Sequence, residues 1–309
     1  MVKNEQIKKK KLLKQIKKYL PLYIMFLPIG VLFFLLCYVP MAGISLAFTE
    51  FTPFKGPDFI GLENFKALLA NPRFISAFEN TLFLSMVNLF IGVFLAVAIS
   101  IFLNEVKNVY FKRFVQTVIY LPHFMSWVVV ASIFTILLSP QRGAINALLE
   151  FLGIVKKEEP IFFLISNTWW TPIFLFILRW RETGWMTIIF FAAITGINPD
   201  LYEAATIDGA GRWRKMISIT VPLLMTTILV VIVLNLARVL NLFESVFVLQ
   251  NDIVLDQAEV IETYVYKMGL RRSDYGYATA VGLFKSLISL VLVLITNRIS
   301  KKIKGEALL

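Results

Sequence analysis

From Tyr19 to Thr49 the chain runs 31 residues without one charged side chain. About 20 helical residues suffice to cross the hydrocarbon core of a bilayer, at about 1.5 Å of rise per residue. The run also exceeds the roughly 7–15 apolar residues of a secretory leader, and no small-x-small cleavage pattern follows promptly, so a cleavable leader is the weaker reading. In hydrocarbon, backbone polar groups must be paired within the protein, which leaves helices and closed barrels. The apolar runs show no period-two alternation and are too long for barrel strands. The chain therefore reads as an all-α membrane protein. Its composition agrees: 58% of 309 residues are apolar and only 17% are charged, against about a quarter charged in soluble domains.

The pattern predicts six transmembrane helices, at about 20–47, 80–103, 114–139, 168–195, 219–243 and 276–297. Six spans put both termini on one side. With the N-terminus inside, the inner segments carry 18 Lys/Arg and the outer loops carry nine. That asymmetry places both termini of this multi-pass membrane protein in the cytoplasm. The net charge of +11 thus reads as membrane anchoring, with no nucleic-acid partner; lipids are the expected contact of the basic start. The chain divides into a basic cytoplasmic N-terminus at 1–18, a first span and outer loop at 19–76, a core at 77–297 with five spans, and a tail at 298–309. Outer segments Leu62–Leu69 and Ile145–Leu152 read as short helices suited either to ordinary loop packing or to an external partner.

The inner segment 198–222 is the most specific. Pro199 and Asp200 can open a helix, and Glu203 sits in its first turn, where the helix dipole favours an acid. Ala204 and Ala205 keep one face small, and Gly209 and Gly211 stop or bend the helix. Trp213 among Arg212, Arg214 and Lys215 suits the headgroup level. These features describe either a plain interfacial helix or one whose small face receives a partner.

The segment resembles the EAA motif of binding-protein-dependent ABC transporter permeases: E-A-A, three residues, G, nine residues, I, one residue, L-P. Here it reads Glu203-Ala204-Ala205, Gly209 and Ile219-Thr220-Val221-Pro222, with Val221 for the family's Leu as the one departure. The resemblance extends over about 70–300, with Asn80-Thr81-Leu82 and Tyr120-Leu121-Pro122 also similar to the family. The run Tyr202–Ala210 is typical of its carbohydrate importers. Trp180-Arg181-Glu182-Thr183-Gly184-Trp185 and Gly276-Tyr277-Ala278-Thr279-Ala280 resemble the branch that takes oligosaccharides, including relatives of a lipoprotein-type polysaccharide permease. The resemblance implies the type I ABC importer permease fold. It implies half of a translocation path beside a second permease subunit, two cytoplasmic ATPase subunits and an extracytoplasmic sugar-binding protein. Glu203, Ala204, Ala205, Asp208, Gly209 and Gly211 would couple to the ATPase. ATP and Mg would bind there, with no cofactor in this chain. The sequence itself holds no G-x-x-x-x-G-K-[ST] phosphate loop, so any ATP hydrolysis belongs to another polypeptide.

Charged groups in hydrocarbon cost several kcal/mol and normally face a cavity or a partner. Arg179 and Glu182 share a helix face and can pair, with Trp180 and Trp185 beside them. Asn235, Arg238, Asn241 and Ser245 fall on one stripe of the expected fifth span. Arg179, Trp180, Glu182, Trp185, Asn235, Arg238 and Asn241 are the expected substrate-path residues, with interhelical packing as the alternative. Thr81, Ser85, Asn88, Gly92 and Ala96 form a small-residue face expected to pack helices. Lys285 is left to snorkel or to meet an acid. With one histidine, His123, and one cysteine, Cys37, in the chain, no metal cluster or Cys-His catalytic pair can be assembled. The expected function is a transport subunit, not an enzyme; the alternative is an ion-coupled secondary transporter, for which Glu182 and Arg238 would be the coupled pair.

Overall fold

A computed structural model describes residues 2–52, 56–236 and 238–304. Helix α1 spans Val2–Phe33 and continues through a π turn, Phe34–Tyr38, into a 3-10 stretch, Val39–Phe48. Short α2, Glu63–Ala70, precedes long α3, Pro72–Glu105. Then come α4 (Val109–Tyr120), α5 (Trp127–Leu137), α6 (Ala144–Phe151) and α7 (Trp170–Thr195). The inner segment holds α8 (Asp200–Ile207) and α9 (Arg212–Lys215); α10 is Val221–Leu236. The remainder is α11 (Phe243–Leu249), α12 (Leu255–Ala258), α13 (Ile261–Tyr266) and α14 (Tyr275–Lys304). The expected tail at 298–309 therefore starts as helix, and 305–309 lie outside the described residues.

Among the described residues, four helical segments are long and apolar enough to cross a membrane: Lys18–Phe48, Pro72–Glu105, Arg212–Leu236 and Tyr275–Arg298. A fifth exists if α4 and α5 count as one span. The remaining expected span corresponds to α7, 26 residues long and interrupted by Arg179, Arg181 and Glu182.

Three expectations need correction. The chain is not purely helical: β1 (Thr49–Thr52) pairs antiparallel with β2 (Gly56–Phe59), Thr49 opposite Phe59. Gly56 takes φ +74°, which the Lys55-Gly56-Pro57 turn signal allows, but four-residue strands are too short to show a period. The third span is not one helix, since α4 and α5 meet at 106°. Pro122 lacks an N–H and cannot continue the α4 ladder; a 3-10 turn, Leu121–Phe124, follows, and Ser126 Oγ accepts the Val129 N–H at 3.3 Å to start α5 afresh. The fifth span also breaks, between Leu236 and Phe243: Arg238 lies in a turn and Asn241 in irregular backbone before α11. The stripe Asn235-Arg238-Asn241-Ser245 is therefore not a helical face.

Along Lys18–Phe48 the apolar window is wholly unburied within the chain, so lipid or another subunit must cover it. Lipid is as apolar as leucine, and helix association in it rests on packing and hydrogen bonds. Both are visible between α3 and α7: Leu89, Val93 and Ala96 of α3 pack with Phe190 of α7 and Val231 and Leu236 of α10. Thr81, Ser85, Gly92 and Ala96 are buried on that side of α3. In the N-terminal half of α3, Thr81 Oγ1 accepts the Ile261 N–H at 2.9 Å and donates to Ala77 O at 2.6 Å. Asn80 Nδ2 donates to Asp256 O at 2.8 Å. These bonds fix α12 and α13 over α3, each worth roughly 1 kcal/mol. Trp170, fully buried, donates its indole N–H to Leu249 O at 3.1 Å and ties α7 to α11.

Candidate functional site

The break between α10 and α11 opens a cleft of about 390 Å³. Irregular backbone at membrane depth is tolerated where it is buried in protein or lines a cavity. Here Leu236, Arg238 and Asn241 are joined by turn bonds, Val239 N–H to Leu236 O at 3.3 Å and Asn241 N–H to Arg238 O at 3.0 Å. Beyond them, Glu262 Oε2 accepts the N–H of Phe243 at 2.8 Å. A carboxylate thus meets the free N–H at the start of α11, where the helix dipole favours negative charge. The other oxygen of Glu262 accepts from Lys285 Nζ at 2.5 Å. Lys285 therefore pairs with an acid and has no need to snorkel. Removing one member of a buried pair costs roughly 3–5 kcal/mol, and this pair, partly exposed, less. Lys285→Met is expected to destabilise the chain by about 2–3 kcal/mol. Adding Glu262→Gln should restore most of the loss, as read by thermal unfolding of the purified complex; no recovery in the double variant would deny the pairing.

Asn88 of α3, Trp127 of α5, Arg179, Glu182 and Met186 of α7, and Asn235 of α10 wall the cleft. Asn241, Glu244, Ser245 and Glu262 close it from the broken segment and α13. Of the seven residues expected on a substrate path, Arg179, Glu182, Asn235 and Asn241 meet here. Trp180, Trp185 and Arg238 do not line it. Trp180 packs edge-on against Phe134 with centroids 5.3 Å apart. Trp185 stacks on His123 at 5.0 Å. Arg238 is exposed in the turn.

The expected pairing of Arg179 with Glu182 does not form. Glu182 Oε1 accepts from Arg181, and Glu182 Oε2 lies 3.3 Å from His123 Nδ1. Arg181 Nε also donates to Met125 O at 3.0 Å, and its guanidinium lies 4.6 Å over the Trp127 ring. Arg181, which the sequence did not single out, thus holds α7 against the α4–α5 bend. His123 touches both Trp185 and Glu182. Arg179 is 6% exposed, and its Nε and Nη1 have no hydrogen-bond partner among the described residues. Its guanidinium occupies the space a side chain at Gly92 would fill: a Cβ there would stand 1.7 Å from Nη1.

Asn88, Trp127, Glu244 and Glu262 were missed as cleft residues. The small polar face of α3 contained Asn88, but nothing in sequence spacing distinguishes its outlook from that of Ser85. The other three come from distant segments and meet only through the tertiary break.

The inner segment forms a separate surface. Asn198 Oδ1 accepts the Asp200 N–H at 3.0 Å and starts α8. At its end Gly209 adopts φ +76°. Ala210 N–H bonds Ala205 O at 2.8 Å and Gly209 N–H bonds Thr206 O at 3.0 Å, a Schellman closure that favours glycine. No residue of α8 is buried. Glu203, Ala204, Asp208, Gly209 and Gly211 are exposed and Ala205 is half-buried. Ile207 is 87% and Trp213 69% exposed. Tyr202 Oη and Thr220 Oγ1, 2.9 Å apart, link α8 to the approach of α10.

Residues 88–305 match the family described as binding-protein-dependent transport system inner membrane component. A polygalacturonan/rhamnogalacturonan transport system permease protein of Bacillus subtilis (strain 168) is 43% identical over 305 residues, 97% of this chain and 94% of the relative. A chain of a bacterial ABC transporter involved in the import of the acidic polysaccharide alginate superposes with a TM-score of 0.87 at 37% identity, covering 95% of this chain and 99% of that one. A chain of a bacterial alginate ABC transporter in complex with an alginate pentasaccharide-bound periplasmic protein gives 0.87 at 36% identity, over 96% and 100%.

Proposed function

We propose a role from one premise: the chain belongs to the family of binding-protein-dependent transport system inner membrane components. It is a multi-pass permease subunit of an ATP-driven importer of carbohydrate, an oligosaccharide in particular. It forms half of the translocation path with a second permease subunit. A pair of cytoplasmic ATPase subunits binds ATP and Mg and engages the 198–222 segment through Glu203, Ala204, Ala205, Asp208, Gly209 and Gly211. An extracytoplasmic binding protein delivers the sugar. All six spans and the cytoplasmic termini belong to this reading.

The observation that carries it is the pair of surfaces joined by one element. The cleft lies at the C-terminal end of α10, and α8 contacts the approach to that same helix through Tyr202 and Thr220. A partner moving α8 therefore acts on the wall that holds Asn235. Discontinuous helices at membrane depth are a recurring way to build a substrate site. Amide and charged side chains there supply donors and acceptors for hydroxyls, which a buried site must satisfy. Family membership leaves the ion-coupled alternative without a supporting observation.

The test is uptake by proteoliposomes holding the assembled complex. Entry of labelled oligosaccharide that requires both internal ATP and added binding protein is expected. Uptake by this chain without partners, abolished by an uncoupler and indifferent to ATP, would overturn the proposal.

A further inference from the structure

We propose that the cleft selects a carboxylated sugar, with Arg179 as the counter-charge for a uronate carboxylate. This rests on the cleft being the sugar path.

Arg179 is nine-tenths buried on the cleft wall with Nε and Nη1 unpartnered. A buried cation with unbonded donors is among the most costly arrangements in a protein, and more so at membrane depth. Arginine cannot escape the cost by losing its proton. Its nearest acid in sequence, Glu182, is already engaged by Arg181 and lies beside His123. Glu262, also on the cleft, is held by Lys285 and the Phe243 N–H. Gly92 gives the guanidinium its room, since any larger residue would occupy that place. The fold thus sets a fixed cation beside a cavity; Glu182 acts on it through space, but its oxygens are bonded to Arg181 or lie beside His123.

A guanidinium presents donors in a planar fork that matches a carboxylate in two parallel hydrogen bonds. A neutral sugar offers only hydroxyls and leaves most of that charge uncompensated. Asn88 lines the same wall with its buried Oδ1 unpartnered, and it can accept from a sugar hydroxyl. Asn235 of α10 and Asn241 of the broken segment line the same cleft. Glu244 also faces the cleft and opposes an anion, but it is exposed. Solvent screens an exposed charge far more than a buried one, so Arg179 decides the preference.

The experiment is equilibrium binding to the purified transporter complex in nanodiscs, without binding protein. The probes are trigalacturonate, an alginate trisaccharide, and the carboxyl-reduced form of each. The wild-type complex is expected to bind at least one acid at least tenfold more tightly than its reduced form. Arg179→Gln should weaken binding of that acid about tenfold or more and change the reduced form less than threefold. Arg179→Lys, which keeps the charge, should retain the preference and thereby separates loss of the cation from loss of fold. Equal binding of acid and reduced forms by wild type, or equal weakening of both by Arg179→Gln, would overturn the inference and leave the sugar-path reading standing. Binding of no probe by the wild-type complex would overturn both.

Discussion

Gly184→Val is expected to abolish accumulation of the folded chain in the membrane. A Cβ at this position would stand 2.2 Å from Ile119 O, 2.9 Å from its carbonyl carbon and 3.0 Å from Tyr120 Cα. All three are backbone atoms at the end of α4, so no side-chain rotation relieves the clash. Relief requires separating α7 from the 3-10 turn that holds the α4–α5 bend, and with it the Arg181 bond to Met125 O. Overpacking within a core costs roughly 1–3 kcal/mol where side chains can adjust. Here helices must move, and Gly184→Ala is expected at or above the top of that range. Gly196→Ala is the control: its Cβ would meet only Ala193 O at 3.5 Å and Ala192 O at 3.7 Å, ordinary contacts. Membrane abundance and gel filtration in mild detergent read the outcome. Normal accumulation of Gly184→Val would contradict the close crossing of α7 over α4.

Glu203→Lys is expected to act in the opposite way, leaving assembly of the fold intact and reducing uptake by at least tenfold. Glu203 is exposed on α8 and engages no side chain among the described residues. Within this chain the substitution loses only a favourable acid near a helix N-terminus, roughly 0.3–1 kcal/mol. A large functional loss from so small an internal cost requires a partner at that face. Reversing a charge against a complementary surface costs several kcal/mol. The informative readout is the ratio of ATP hydrolysed to sugar delivered, together with the amount of chain in the membrane. Unchanged uptake would remove Glu203 from the coupling surface.

The helical segments were legible because hydrocarbon imposes their length and apolarity. The start and stop of α8 were legible because Pro199, Asp200 and Gly209 act locally. The short outer helices, observed at Glu63–Ala70 and Ala144–Phe151, also followed from local signals. The two broken spans were not legible, for different reasons. Pro122 was visible, but a proline in a membrane helix can kink or break it, and only packing decides. The break after Leu236 has no glycine or proline between Arg238 and Ser245. It is stabilised from a distance by Glu262, which meets the N–H of Phe243. Sequence spacing therefore placed Arg238 on a helical stripe that does not exist. It also paired Arg179 with Glu182, because residues three apart are neighbours on any helix. Arg181 reaches around to Glu182, and that contact depends on the α4–α5 bend.

The cleft and the α8 surface make sense together only if this chain works inside a larger machine. The most direct test is co-purification. The chain is tagged, the native membrane is solubilised in mild detergent, and the accompanying polypeptides are identified by mass spectrometry. The account predicts an ATPase carrying a G-x-x-x-x-G-K-[ST] loop and a second permease, recovered in fixed ratio. Recovery of this chain without partners, monodisperse and transporting in liposomes without ATP, would contradict it.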